Sequence, residues 1–486
     1  MRLVAALLSL LLCITVFAQQ PSSPPATADR LYLPPQQSEG SNWCLDPFSA
    51  RLRQILTTPA SPLPGEVNGD DLAKDLVELQ ELLRTQYPGY GTVAQLPGFD
   101  VGRFFADWRA RVAGKRSLPY AEVVLAPLRE LRDAVVDQHL SVAGAADQLN
   151  KGSLMDVREF QATVDQDLDL KSCKLLGARR VYGSTLRMAR LISSQGIEKL
   201  VTVTAAADGP LSLECNGKTW TLTERAARLV PKPKDDEPFY HWSSIGDTAV
   251  VRIRHLYGST KDLENLSQIP KDFQQHAKFR RIIFDLRGNG GGDDTYVYSW
   301  ISEAKNGTWP SGAETKRIGE LYPCGDWNMT IIRQVTDYTI DTEGARKERE
   351  VQRGSWSPAP NEHEIFSDGL ISDASAHPYS GRIYVLTDRQ SKSSGESSAY
   401  ILRQALGALL VGERTGGMIT YGNVRTVVLR RTGISFNVPT KRNWFNEPAE
   451  VVGYPVDLYL ENNAIPVQDL IPMLDQFETR SGAANR

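Results

Sequence analysis

The chain has 486 residues, 41% of them hydrophobic and 23% charged, with 38 glycines and 28 prolines. At roughly 100–200 residues per domain this length implies about two to four domains, and the composition excludes collagen-like, coiled-coil and wholly disordered chains. Lys and Arg number 55 against 58 Asp and Glu, a formal charge of −3 with no polybasic block, which argues against a nucleic-acid or anionic-membrane role.

Residues 1–18 (MRLVAALLSLLLCITVFA) place Arg2 before an apolar run from Leu3 to Phe17, with small Val16 and Ala18 before Gln19. This is the pattern of a signal peptide. The competing reading, an uncleaved anchor, meets a run that is short for a span. No second apolar run of spanning length follows, so no integral span is expected after signal removal. The mature protein is expected to be exported, periplasmic or extracellular.

Cys13 leaves with the signal, and Cys44, Cys173, Cys215 and Cys324 remain. An oxidising compartment allows two disulfides in three connectivities. Cys173–Cys215 and Cys44–Cys324 are the expected pairs, with free buried thiols as the alternative. The cysteine spacing fits no zinc motif. Asn265, Asn306 and Asn328 head glycosylation acceptors if the secretory route is eukaryotic.

Residues 19–67, rich in Pro, Gln and Ser at their start, read as a flexible leader. An N-terminal helical domain is expected over 68–150. Leu72, Leu76, Leu79 and Leu83 recur at helical spacing, with Asp70 able to cap and Pro88 beyond the end. A second helix fits 120–136, with Val124, Leu128, Leu131 and Val135 on one face and Pro127 as a kink. Residues 151–232 read as a small β-rich module, with strands at 199–205 and 211–222. PKPKDDEP (231–238) is a linker signal. Over 233–474, a larger unit, strands are expected at 248–254, 281–286, 382–388 and 408–413, with a helix between the last two. That order is the rhythm of a βαβ unit in a mostly parallel sheet. Residues 305–375 read as a polar excursion and 475–486 as a tail.

Three places carry residue types suited to chemistry. TDRQSKSSGESSAY (387–400) joins a buried strand to a helix. A serine at a helix's first turn sits beside unpaired N–H groups that can stabilise an oxyanion. The plainer reading is a Ser393–Glu396 capping box, and five serines leave the nucleophile open. DLRGNGGGDD (285–294) leaves another buried strand, and its glycines allow a backbone to approach a ligand closely. Asp293 stands where a dinucleotide fingerprint needs glycine, and no Walker lysine follows, so a tight sheet-closing turn is the alternative. The third place is His139, just past a helix, where a purely structural histidine is the alternative. NEHE (361–364) has metal-ligand residue types without partner spacing, so neither metal nor cofactor is expected.

Together these segments resemble the C-terminal processing (tail-specific) serine peptidases and their tricorn-core relatives. DLRGNGGG (285–292), SSGE (393–396) and GERTGG (412–417) follow the family's order. Asp137-Gln138-His139 is similar to the D-G-H element of the histidine-bearing branch, and GISFNVPTKR (433–442) with EVVGYPVD (450–457) to its closing segment. The resemblance spans roughly 70–142 and 247–458. It implies an α/β fold: a crotonase-like αβ spiral catalytic core, an N-terminal helical domain and a PDZ-like module at 151–232.

By matching positions, the resemblance implies Ser393 as nucleophile, His139 as general base and Glu450 as its orienting carboxylate. The N–H groups of Ser394 and of Gly291 or Gly292 would form the oxyanion hole. The processing peptidases take a lysine from a TFGKG-like segment as base. This chain has Gly416-Gly417-Met418 there, so the resemblance favours Ser–His–Glu over Ser–Lys. Gln138 and Val456 depart from the family pattern. The expected partner is a peptide or unfolded protein, and a histidine base implies a rate climbing with pH through about 6.5–7. Two other readings stay open: a catalytically silent ligand- or peptide-binding protein on the same fold, and a serine hydrolase of non-peptide esters.

Overall fold

The computed structural model describes residues 65–94, 96, 98–150, 155–178, 180–181, 186–226, 237–305, 317–323, 362–365, 379–445 and 449–480. The expected signal peptide, the leader almost to its end, Cys44, Cys324, Asn306, Asn328 and most of 305–375 lie outside these residues. For NEHE only the backbone of Glu362–Ile365 is described, as a strand.

The leucine repeat forms helix α1 (Gly69–Gln86), which buries Leu72, Leu76, Leu79 and Leu83. Its cap is Asn68, which accepts from the Asp71 N–H. Asp70 instead accepts from the N–H of Gly114. Helix α2 (Val101–Val112) puts Phe104, Phe105, Trp108 and Val112 on its buried face. The second expected helix splits into a π turn (Ala121–Leu125) and helix α3 (Ala126–Val135), with Pro127 at the α3 N-terminus. A proline is tolerated there because its missing N–H has no intrahelical partner. Val136 ends α3 in a left-handed conformation, φ 55°. That is costly for a β-branched residue and turns the chain sharply into Asp137-Gln138-His139.

Thirteen strands among the described residues make one large sheet. Strands β1 (Arg158–Val164), β2 (Cys173–Leu176), β3 (Arg187–Ser193), β4 (Gly196–Ala206), β5 (Leu211–Cys215) and β6 (Lys218–Glu224) come from the β-rich segment. Strands β7 (Tyr240–Ile245), β8 (Thr248–Ile253), β9 (Arg281–Asp285), β10 (Arg382–Thr387) and β11 (Leu409–Gly412) follow. Strand β8 pairs in parallel with β9, β9 with β10 and β10 with β11. Strand β9 is buried along its whole length, as expected where helices cover both faces of a parallel sheet. Helix α4 (Thr295–Ala304) packs beside helix α5 (Ser394–Leu406), which joins β10 to β11 as the βαβ pattern requires.

The β-rich segment is continuous with this sheet. Leu458–Leu460 pairs in parallel with β11 on one side and β3 on the other. The segment also keeps an apolar cluster of its own, with Phe160, Val203, Leu211 and Leu213. Cys173 and Cys215 pair across β2 and β5 and form a disulfide. Asn265 bonds both its amide groups to the Tyr240 backbone, so its side chain is spent on structure and not presented for modification. Helix α6 (Val467–Arg480) runs through residue 474, where the sequence suggests a boundary.

A second sheet contains β12 (Tyr421–Val428) and β13 (Ser435–Phe445). Tyr421, Phe436 and Val438 share an apolar cluster with Leu72, Phe105 and Trp108 of the helical region. Residues Ser141–Val142 pair antiparallel with Asn437 and Phe436. That pairing carries His139 across to the residues that follow β11 and precede β12. Among the described residues no helix is long and apolar enough to cross a membrane.

Candidate active site

The site lies at the C-terminal ends of the parallel strands β9 and β10, where open α/β sheets place their ligand crevices. Two turns leave these ends and are locked together. The Asp388 carboxylate accepts from the N–H groups of Gln390, Ser391 and Gly288. The Ser391 hydroxyl donates to the Leu286 carbonyl. Beneath them Asp285 forms ion pairs at 2.7 Å with both Arg287 and Arg252. Burial alone would raise the Asp285 carboxyl, but the two guanidinium groups outweigh it and hold it below the usual range.

Ser393 stands at the N-terminus of α5 with φ 52° and ψ −126°, and its side chain makes no capping bond. The capping box therefore does not form. A non-glycine residue in such a conformation costs about 1–3 kcal/mol and persists where surroundings enforce it. Here the Ser393 N–H donates to the Met418 carbonyl at 3.0 Å and the Lys392 N–H to the Asn289 carbonyl at 2.9 Å. The half-buried Ser393 hydroxyl makes no hydrogen bond among the described residues.

Glu396, which the capping reading would aim at the helix N-terminus, turns to the segment after β11 instead. It accepts from the Thr415 hydroxyl and from the N–H groups of Gly417 and Met418. Burial pushes its carboxyl up to about 7, against the pull of those bonds.

Gly291 faces the serine turn. A Cβ there would lie 2.7 Å from the Ser393 Cβ and 3.1 Å from the Ser394 nitrogen, and its φ is +106°. Only glycine fits both demands. Its N–H is spent on the Asn289 side chain at 2.9 Å. The N–H groups of Gly292 and Ser394 have no acceptor among the described residues. The Ser394 hydroxyl donates to the Gly292 carbonyl at 2.6 Å, fixing the glycine turn to the helix start.

His139 is buried at 4% exposure, and neither ring nitrogen has a hydrogen-bond partner among the described residues. One ligating atom each of Asp137, His139 and Glu450 lies within 4.8 Å of the others. Burial, then Lys392, Arg132 and Lys441, lower the imidazole to about 3, so it is neutral across the neutral range and, in this arrangement, a weak proton acceptor. An acid limb near 6.5–7 does not follow from this environment. Asp137 is pushed up by burial to about 6, although it accepts from the Tyr87 hydroxyl and the His139 N–H. Glu450 is pushed up to about 8 by burial and then by Asp137. It accepts from the N–H groups of Gln138, Ile419 and Thr420.

Residues 415–420 thus connect every part of the site. They hold the Ser393 N–H, Glu396 and Glu450, and their Gly416 and Gly417 carbonyls accept from the Gln138 side chain. Gln138, a departure from the family pattern, is a tie between the histidine turn and the serine turn. The structure brings His139 to Glu450 and Ser393 to Ser394, Gly291 and Gly292, but makes no hydrogen bond between Ser393 and His139. Sequence reasoning missed Asp137, Tyr87, Asn289 and Glu396 as supports. Only Asp137 left a signal, since an aspartate two residues before the histidine can bond the N–H that follows it.

No curated protein matches the chain. The solved structures to which the chain is similar include mature CPAF and a photosystem II processing protease. Mature CPAF is 14% identical over 86% of this chain and 99% of its own, with TM-score 0.43. The photosystem II D1 C-terminal processing protease is 12% identical over 82% and 95%, with TM-score 0.35. Residues 247–451 match the model of peptidase family S41. Over this segment, which contains Gly291, Gly292, Ser393 and Glu450 but not His139, the chain is similar to the peptidases of family S41.

Proposed function

We propose that the chain is an exported serine peptidase, an endopeptidase or carboxy-terminal processing enzyme, acting through an acyl-enzyme on Ser393 with His139 as general base. The observation that carries this is the strained Ser393 turn facing Gly291, tied through residues 415–420 to the Glu450 carboxylate beside His139. A serine hydroxyl is a weak nucleophile near neutral pH, so the neutral imidazole takes its proton as Oγ attacks the peptide carbonyl. The carbonyl oxygen becomes an oxyanion, received by the Ser394 N–H at the positive end of α5 and by the Gly292 N–H. The imidazolium returns its proton to the leaving amine, and water then hydrolyses the ester. Glu450, when ionised, stabilises the charged imidazole. The substrate is a peptide or unfolded protein, and residues 151–232 would serve as the PDZ-like substrate-holding module.

A silent binding protein on the same fold is the second reading, favoured by the two unpartnered nitrogens of His139. Incubation with an unstructured protein separates the two readings. New peptide termini from the wild type and none from Ser393→Ala support catalysis. A folded wild type that binds the substrate without cleaving it supports the binding reading.

A further inference from the structure

We propose that Asp137, His139 and Glu450 form an inhibitory binding site for a divalent transition-metal ion of the zinc class. Inhibition rests on the reading of His139 as general base, because the ion takes the lone pair that catalysis needs. The binding itself does not.

The three residues are buried, at 0%, 4% and 8% exposure, and one ligating atom of each lies within 4.8 Å of the others. Their unused lone pairs point to the ion. A carboxylate offers about four acceptor positions. Asp137 uses three, on the N–H groups of His139 and Leu140 and on the Tyr87 hydroxyl. Glu450 also uses three, on the N–H groups of Gln138, Ile419 and Thr420. One position is left on each when both are ionised, so binding of the ion releases any proton they hold to the medium. The imidazole adds a nitrogen lone pair that meets no donor, since both ring nitrogens lack partners among the described residues. The result is one nitrogen and two oxygen donors converging in a buried place.

Among the described residues no lysine or arginine forms an ion pair with either carboxylate. Arg132 donates to the carbonyl oxygens of Asp137 and Gln138 and to Asn150. Lys392 and Lys441 bear on the imidazole and oppose a cation, which limits affinity without removing the donor set. One imidazole with two carboxylates suits zinc, manganese or iron, whereas calcium and magnesium need more oxygens than this cluster supplies. Zinc–ligand bonds of about 2.0–2.2 Å require the three side chains to close in by a small rotation. Residues 415–420 hold Glu450 and, through Gln138, the histidine turn, so such closure would also draw on the tie to the Ser393 turn.

The test uses the full chain after chelator treatment, titrated with zinc by calorimetry and with cobalt(II) by visible absorption. One ion per chain, retained in Ser393→Ala and weakened at least tenfold in His139→Gln and in Glu450→Gln, is expected. Thermal unfolding checks that each variant is folded. In the wild type, peptidase activity falls with the same midpoint as binding and returns with chelator. Zinc bound equally by the wild type and both folded site variants overturns the proposal, as does no binding to the wild type at millimolar zinc. Zinc affinity lost in a His139→Gln variant that keeps full peptidase activity supports the metal site and refutes the general-base role, so the two ideas fail separately.

Discussion

Replacing Glu396 by glutamine tests whether a buried carboxyl holds the site together. The substitution keeps the volume but turns one acceptor oxygen into an NH2 group. Three donors converge on Glu396, from Thr415, Gly417 and Met418. The amide leaves at least one buried donor unmatched, at about 1–3 kcal/mol. At about 2–4 °C per kcal/mol for a domain of 150–250 residues, the melting temperature at pH 5 falls by about 2–12 °C. The pH dependence gives a sharper signature. Burial lifts the folded carboxyl from 4.5 to about 7, so the folded state keeps a proton that the unfolded chain has lost. The stability this contributes is complete below 4.5 and is lost as pH rises through 7. Glutamine cannot titrate, so the gap between wild type and variant narrows from pH 5 to pH 7.5. Thermal unfolding at both pH values measures it, and a gap that stays constant or widens refutes the reasoning.

Two other outcomes follow from the geometry. Gly291→Ala places a methyl 2.7 Å from the Ser393 Cβ at φ +106°, and steady-state kinetics should show a loss comparable to that of an oxyanion donor, about 10²–10³. Gly290→Ala, whose Cβ meets nothing nearer than 4.0 Å, is the control and should retain activity. Reducing the Cys173–Cys215 bridge, which closes a separation of 42 residues, removes about 4 kcal/mol from the β-rich segment by loop-closure entropy; denaturant unfolding with and without reductant reads it.

Much of the fold was legible because local pattern decided it. The leucines of α1 and the apolar runs of β8 to β11 have the period of the element they form. Helix α2 carries the same helical spacing, at Val101, Phe104, Phe105, Trp108 and Val112, with Asp100 as its cap, and was legible by the same rules. Helix α6 hides its pattern behind Pro472. The continuous sheet was illegible, because the pairing of 458–460 with β3 depends on residues far apart in the chain. At the site, the residue types left several serines open, and the family resemblance implied Ser393, His139 and Glu450. The support from Glu396 and Gln138 could not be read, since a capping box and a displaced carboxylate have the same sequence. Which glycine N–H stays available was equally hidden, because it depends on where the Asn289 side chain points.

The account stands on Ser393 and His139 acting on each other across the cleft. Labelling the folded protein with a fluorophosphonate probe and mapping the adduct tests this most directly. The expected result is a single adduct on Ser393, forming at least 10² times more slowly in His139→Ala. An adduct on another residue, or labelling of Ser393 at the same rate without the imidazole, would contradict it.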